Sequence, residues 1–299
     1  MSPQGGVGST PSSGIVMLSN NFCIQGEIGG YLFCIVLTGG GQRTEKSSIM
    51  RLVKFRYKSK EGWGILENTT IHRLKKSPFT RIVRSGEQIP FAKVKILPPA
   101  EPTKIVLVGL NYRDHASELN MNVPGEPVIF IKPSTSLVAH KGKIVYPEVV
   151  KRLDYEAELA VVIRKKARNI LEKQVEKYIL GYTCLNDITA RDIQKRDGQW
   201  TRAKSFDTFC PLGPWIETKI NPSQLKIRSY LNGEIKQNST TRNFIFSVEF
   251  LVAFISRIMT LLPGDVISTG TPSGVGPMQR GDTIVIEIEG VGKLENRIV

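Results

Sequence analysis

The sequence predicts an α+β chain in which strands dominate, and three observations carry that expectation. Short runs rich in Val and Ile recur between Gly, Pro and Asn turns, from RLVKFRY at Arg51 to the closing TIVIEIEGVGKLENRIV. Helical periodicity is confined to ILEKQVEKYIL (Ile170 to Leu180) and FSVEFLVAFISRIMTLL (Phe246 to Leu262). Strands do not alternate regularly with helices and no internal repeat is visible, which argues against a Rossmann fold or a TIM barrel. With 299 residues and 40% hydrophobic content, the chain can bury one medium core plus a smaller one.

Residues 1–49 are rich in Gly, Ser, Thr and Asn and carry no net charge. They read as a weakly ordered extension, or an upstream start that goes unused, with Met50 opening the strand-like MRLVKFRYK. No basic segment precedes the apolar YLFCIVL (Tyr31 to Leu37), so a secretory signal is not expected. That run is also far short of the roughly 20 residues needed to span a bilayer. Residues 50–102 form a small β-rich N-terminal domain in this reading, with Pro98, Pro99 and Pro102 marking its linker. The main domain, 103–299, opens on KIVLVGL and continues through VIFIKP, KIVYP, LDYEAELAVVI, GYTCL, IRSYLNGE and DVISTG. LDYEAELAVVI reads as one strand, apolar on both faces beyond Glu158 and hence buried. The second helical segment is expected to end at the Pro263–Gly264 turn, and the terminal hairpin turns at Gly290 to Gly292.

The net charge of +14 lies entirely after residue 49. Such a field attracts anions of any kind. No zinc-finger spacing, RNP-like aromatic motif or block of basic residues accompanies it, so nucleic acid is not the expected partner. Four scattered cysteines, Cys23, Cys34, Cys184 and Cys210, form no CxxC pair and suit reduced thiols in a cytoplasmic protein.

Chemistry concentrates in a few places. Glu156 and Glu158 share one face of their strand, with Cα atoms roughly 6.5–7 Å apart, and repel unless a cation sits between them. A solvent-facing strand end would also tolerate such a pair, and Glu287 and Glu289, at the same spacing, are read that way. Asp187, in LNDITARDIQ, adds a third acid. Carboxylates without His or Cys nearby favour Mg²⁺, Mn²⁺ or Ca²⁺ over zinc or copper. Asp192 is expected to cap or to pair with Arg191. His115 and Glu118, three apart at a helix start, would lie on one face and could make a general base, or an ordinary ion pair. His72 is read as a surface residue and His140 as part of a loop. Lys204 and Lys132 could face an anion, or lie along the surface with their ammonium groups in water. The Gly-rich GTPSGVG lacks the GK[ST] of a P-loop, yet its amides and Thr271 could cradle a carboxylate.

GLNYRDHASELN, PVIFIKPSTS, DYEAELAVVI, GYTCLNDITARDIQ, KSFDTFCPLGP, LNGE and PGDVISTGTPSGVG, in that order, resemble the fumarylacetoacetate hydrolase family over residues 104–299. The resemblance implies a mixed β-roll fold, a homodimer and a divalent metal, Mg²⁺ first, acting on 2-oxo acids. Carried over, its metal acids fall on Glu156, Glu158 and Asp187, its His–Glu dyad on His115 and Glu118, and its catalytic lysine on Lys204. Substrate contacts fall on Gln194 and Thr271, then Lys132 and Arg191. No additional metal aspartate is found before the histidine, which points to the short, three-carboxylate branch, similar to acylpyruvases and 2-hydroxyhepta-2,4-diene-1,7-dioate isomerases. The expected activity is C–C hydrolysis of acylpyruvates or decarboxylation of an oxaloacetate-type acid, with a muconate-type isomerase as the alternative. A non-catalytic protein retaining a structural ion is the alternative of another class.

Overall fold

The computed structural model describes residues 15–18, 21–28, 31–38 and 50–299. Within residues 1–48, strands Ile15–Leu18, Asn21–Ile28 and Tyr31–Thr38 pair antiparallel in chain order. The expectation of a weakly ordered or unused extension otherwise falls on residues outside that description.

From Ile49 onward the chain clusters as one unit. Its backbone is a mixed sheet of twelve strands. Ala157–Ile163 lies inside this sheet, antiparallel to both Ile179–Asn186 and Val266–Ser268. Ile105–Val108 runs parallel to Val266–Ser268. On the other side, Cys210–Glu217 pairs with Arg51–Tyr57, which leads into Lys60–Glu67, Thr70–Leu74 and Arg84–Pro90. The strands of residues 50–90 therefore continue the larger sheet through that pairing. A second sheet of five strands carries the hairpin Thr283–Ile288 and Gly292–Ile298 at the place the sequence predicts. No helix among the described residues is long and apolar enough to cross a membrane.

Alternation along Ala157–Ile163 fills two cores at once. Leu159, Val161 and Ile163 pack with Ile284, Ile286 and the helix residues Val252 and Ile255. Ala160 and Val162 pack with Leu107, Leu212 and Val266. A strand enclosed on both faces has no solvent side on which to place polar residues, which is why this run is continuously apolar. Glu158 lies on the same face as Ala160 and Val162, one pleat before the apolar run.

LDYEAELAVVI is two strands rather than one. Leu153–Tyr155 belongs to a small sheet with Thr189–Ala190 and Gly276–Met278, and the large sheet begins at Ala157. Glu156 is the residue between them. Its amide donates to the Asn186 side-chain oxygen at 2.9 Å instead of to a strand partner. The helices also differ from expectation. Val248–Ile258, capped by the Ser247 hydroxyl accepting from the Phe250 amide, stops four residues early, because Leu261 exchanges backbone hydrogen bonds with Ala167. Glu172–Tyr178 is a 3₁₀ segment, cut short as Ile179 enters the central sheet.

Leu159 is fully buried in the centre of this sheet. Leu159→Ala should lower the unfolding free energy by about 2–5 kcal/mol in chemical denaturation, the range for a buried leucine whose cavity stays open. A loss under about 1 kcal/mol would mean that the site collapses and that this strand is not the rigid centre described.

Candidate metal centre

Strand register brings the third acid to the other two. Ala157 lies opposite Asn186 and Glu158 opposite Leu185, so one further step places Glu156 across from Asp187. The Asp187 amide donates to the Glu156 carbonyl at 2.9 Å, closing that step. The result is a cluster of Glu156, Glu158 and Asp187, all buried, with one carboxylate oxygen from each lying within 4.8 Å of the others.

Each acid is held differently. Glu156 faces Lys204 at 3.0 Å and Arg191 at 2.5 Å, and it also accepts from the Thr189 hydroxyl. Burial pushes this carboxyl up, but Lys204 and Arg191 together outweigh burial and hold it well below the usual range. Asp187 faces Lys204 and Lys132, each at 2.5 Å. The Lys132 contact is an ion pair only, so Asp187 Oδ1 makes no hydrogen bond. Burial would favour the neutral amine of Lys204, yet Asp187 and Glu156 more than reverse this and keep it an ammonium.

Glu158 is the exception. Among the described residues it has no ion-pair partner; it accepts from the Ser268 hydroxyl and from the Gly270 amide at 3.0 Å. Burial first, then the charges of Asp187 and Glu156, push it up to about 8. A divalent cation among the three acids would remove that repulsion, and the all-oxygen donor set suits a hard ion such as Mg²⁺, Mn²⁺ or Ca²⁺. The residues present therefore fit such an ion. Gly270 has φ +91, and a Cβ there would come within 2.8 Å of the Asn111 Cβ, so glycine is what lets this amide reach Glu158.

A hollow of about 350 Å³ opens over the cluster, lined by Glu156, Asp187, Lys204, His115, Arg191, Gln194 and Thr271 together with the apolar Leu119, Met121, Phe130 and Trp200. His115 and Glu118 lie on helix Arg113–Glu118 with Nδ1 and Oε2 2.8 Å apart. The Gly274 amide donates to the other oxygen of Glu118 at 3.0 Å. The glycine-rich loop thus does cradle carboxylates, but they are this chain's own Glu158 and Glu118.

Other expected residues have different places. Lys132 does not line the hollow; it is fully enclosed beneath it, paired to Asp187 and donating to the carbonyls of Ile188 and Phe209. It is thus closed off from the hollow and serves as a counter-charge to Asp187. Arg191 lines the hollow, but its guanidinium is engaged by Asp154, Glu156 and Gln194. Asp192 accordingly does not pair with Arg191 and accepts from the Arg152 amide. His72 pairs with Glu67, and His140 accepts from the Glu295 amide. Glu287, half-buried, and Glu289, exposed, make ordinary hairpin contacts to Tyr230, Lys293 and Lys226.

Gln237 was not singled out by sequence. Fully buried, it accepts from the Ala157 amide between the two glutamates of the cluster, and it donates to Thr271 and to the Pro272 carbonyl, each at 2.8 Å. It is the inward-facing residue of its hairpin strand, and only the long-range pairing reveals its partners. Gln237→Leu strands the Ala157 amide and should cost about 1–3 kcal/mol, measured by urea unfolding. A change within about 0.5 kcal/mol would show that the loop and strand hold together without it.

The fumarylacetoacetate (FAA) hydrolase C-terminal family matches residues 104–299, and the Rv2993c-like N-terminal family matches residues 50–99. The mitochondrial oxaloacetate tautomerase of Rattus norvegicus is 44% identical over 223 residues, 71% of this chain and 71% of the relative. The crystal structure of 2-hydroxyhepta-2,4-diene-1,7-dioate isomerase from Mycobacterium marinum superposes with TM-score 0.79 at 42% identity, covering 84% of this chain and 98% of the other. Maleylpyruvate hydrolase from Sphingobium sp. SYK-6, in complex with manganese(II) and pyruvate, gives TM-score 0.71 at 30% identity, covering 84% and 99%.

Proposed function

The chain belongs to the fumarylacetoacetate hydrolase family, and on that premise we propose that it is a divalent-metal-dependent enzyme that moves a proton next to the 2-oxo group of a short 2-oxo acid, as a tautomerase or isomerase. The observation that carries this reading is the hollow lined together by Glu156, Asp187, Lys204 and His115, with Glu158 completing the acid cluster and Glu118 bonded to the imidazole. Mg²⁺ or Mn²⁺ held by Glu156, Glu158 and Asp187 would supply Lewis acidity toward the 2-oxo oxygen, which acidifies the neighbouring C–H.

The remaining work falls to side chains. Glu118 bonded to Nδ1 orients the imidazole of His115, leaving Nε2 to take and return the proton. Lys204, held as an ammonium, stabilises the negative charge that develops on oxygen. Phe130 and Trp200 give the hollow an apolar wall beside the acids, while Leu119 and Met121 at its lining remain exposed.

Hydrolysis of an acylpyruvate, or decarboxylation of an oxaloacetate-type acid, releases the same kind of enolate. The specific observation in favour of hydrolysis is the His115–Glu118 pair, since a supported imidazole also activates water. Proton transfer is preferred because the tautomerase and the isomerase share 44% and 42% identity with this chain, against 30% for the hydrolase.

Enol–keto exchange of oxaloacetate, isomerisation of a diene-dioate and cleavage of acylpyruvates, each assayed with and without EDTA, would decide between these readings. EDTA should abolish activity and Mg²⁺ or Mn²⁺ should restore it; turnover indifferent to chelation would refute the metal centre. Lys204→Ala should lower kcat by about 10²–10³-fold, as for other oxyanion donors, and an unchanged kcat would remove it from the chemistry. His115→Ala should cost about 10²–10⁴-fold in proton transfer, and a loss confined to acylpyruvate cleavage would restrict it to activating water.

A further inference from the structure

Helix Arg113–Glu118, which carries His115, has six residues and buries only Ala116. A helix that short is not held by its own hydrogen bonds, so its position is set by what its side chains grip. The residues at its start are laced to the segment that follows strand Glu234–Thr240. The Asn111 side chain exchanges two hydrogen bonds with the Phe246 backbone, and its carbonyl accepts from the Ile245 amide at 2.8 Å. Tyr112 bridges to Phe244, and Arg113 Nη1 donates to the Phe244 carbonyl.

Asp114 extends this lacing to His115 itself. Its Oδ1 accepts from the His115 amide at 2.9 Å, and its Oδ2 accepts from the Ser239 hydroxyl and from Asn243 Nδ2 at 3.3 Å. Asn243 Nδ2 also donates to Ser239 Oγ at 3.1 Å, so the three side chains close a ring. Ser239 lies two residues beyond Gln237 on one strand, hence on the same face. Gln237 in turn accepts from the Ala157 amide, between Glu156 and Glu158, at 3.0 Å. A single strand therefore touches the acid cluster at one position and, through Asp114, the peptide of the imidazole-bearing residue at the next. The far end of the helix is held separately, by the Gly274 amide on Glu118.

We propose that Asp114 is a positioning residue, which sets the distance between the His115 imidazole and the acid cluster by fastening the helix to strand Glu234–Thr240 through Ser239 and Asn243. This rests on the reading of His115 as the base that moves the proton. Asp114 does not line the hollow and acts through His115 alone. The ring also defines its own test, because an ionised Asp114 presents only acceptors to two donors. Asp114→Asn turns one acceptor into a donor that faces the Asn243 amide, and Asn243→Asp sets two carboxylates against each other. The two substitutions together reverse each donor and acceptor, keep the net charge, and leave an oxygen at position 114 to accept from the His115 amide.

Kinetics of oxaloacetate enol–keto exchange and proton NMR of the Co²⁺-loaded full chain test this together. The chain has three histidines, so the His115 ring signals are identified by their loss in His115→Ala. Their displacement by Co²⁺ falls steeply with distance from the ion and needs no turnover. Asp114→Asn and Asn243→Asp should each lower kcat by about tenfold to a hundredfold with KM little changed, the effect of a displaced reacting group. Each should also collapse the Co²⁺-induced displacement of the His115 signals, and the double variant should recover both kcat and the displacement. A double variant no better than Asp114→Asn would overturn the proposal. So would an Asp114→Asn protein that is less stable to urea yet keeps kcat and the displacement, since Asp114 would then only cap the helix. The expected NMR pattern without metal-dependent turnover would count against the proposed activity alone. Metal-dependent turnover indifferent to Asp114→Asn would count against the positioning role alone.

Discussion

Burying three carboxylates side by side is the constraint around which this fold is organised. Each would be strongly destabilised if left alone in a low-dielectric interior. The antiparallel register between Ala157–Ile163 and Ile179–Asn186 forces them together, because Glu156 and Asp187 are the next residues beyond the last paired step. Compensation follows around them. Lys204 bridges Glu156 and Asp187, Lys132 supports Asp187 from beneath, and Arg191 joins Glu156 to Asp154. Glu158 receives only dipoles, from Ser268 and Gly270. The cluster is thus arranged with its deficit of positive charge at one acid, where a hard cation would bind.

Precision at such a site depends on what holds the acids in place. The strand bearing Glu158 is enclosed by two cores, so it cannot shift without disturbing both. The break at Glu156 lets the chain leave the large sheet for the small one, which places that carboxylate at the seam between sheets. Gln237 joins the peptide between the two glutamates to the Thr271–Pro272 loop. The same loop reaches Glu158 through Gly270 and Glu118 through Gly274, so one short segment positions an acid of the cluster and the imidazole's partner together.

The walls divide the labour. Strands supply the acids, which need rigidity, whereas the short helices supply His115 and Gln194, which line the hollow. Family members named tautomerase, isomerase and hydrolase are similar to this chain over most of its length. One fold can host such a range of activities, because function is set by the site residues and not by the fold.

Local pattern singled out several residues that the fold brings together in the candidate site. A run apolar on both faces marked an enclosed strand, the two glutamates at its mouth implied a cation, and the three-residue spacing of His115 and Glu118 predicted their contact. Those features are legible because strand and helix periods place neighbours in sequence on common faces. Other features depend on partners far along the chain. The Glu158–Ser268 bond joins residues 110 apart, and the Gln237–Ala157 bond joins residues 80 apart. No local period encodes those meetings. Lys132 shows the difference most clearly: by sequence it could have been a surface lysine or an anion ligand. Only the packing of strand Ile129–Lys132 over Asp187 made it a buried counter-charge, because a charge's surroundings are set by what the fold brings beside it.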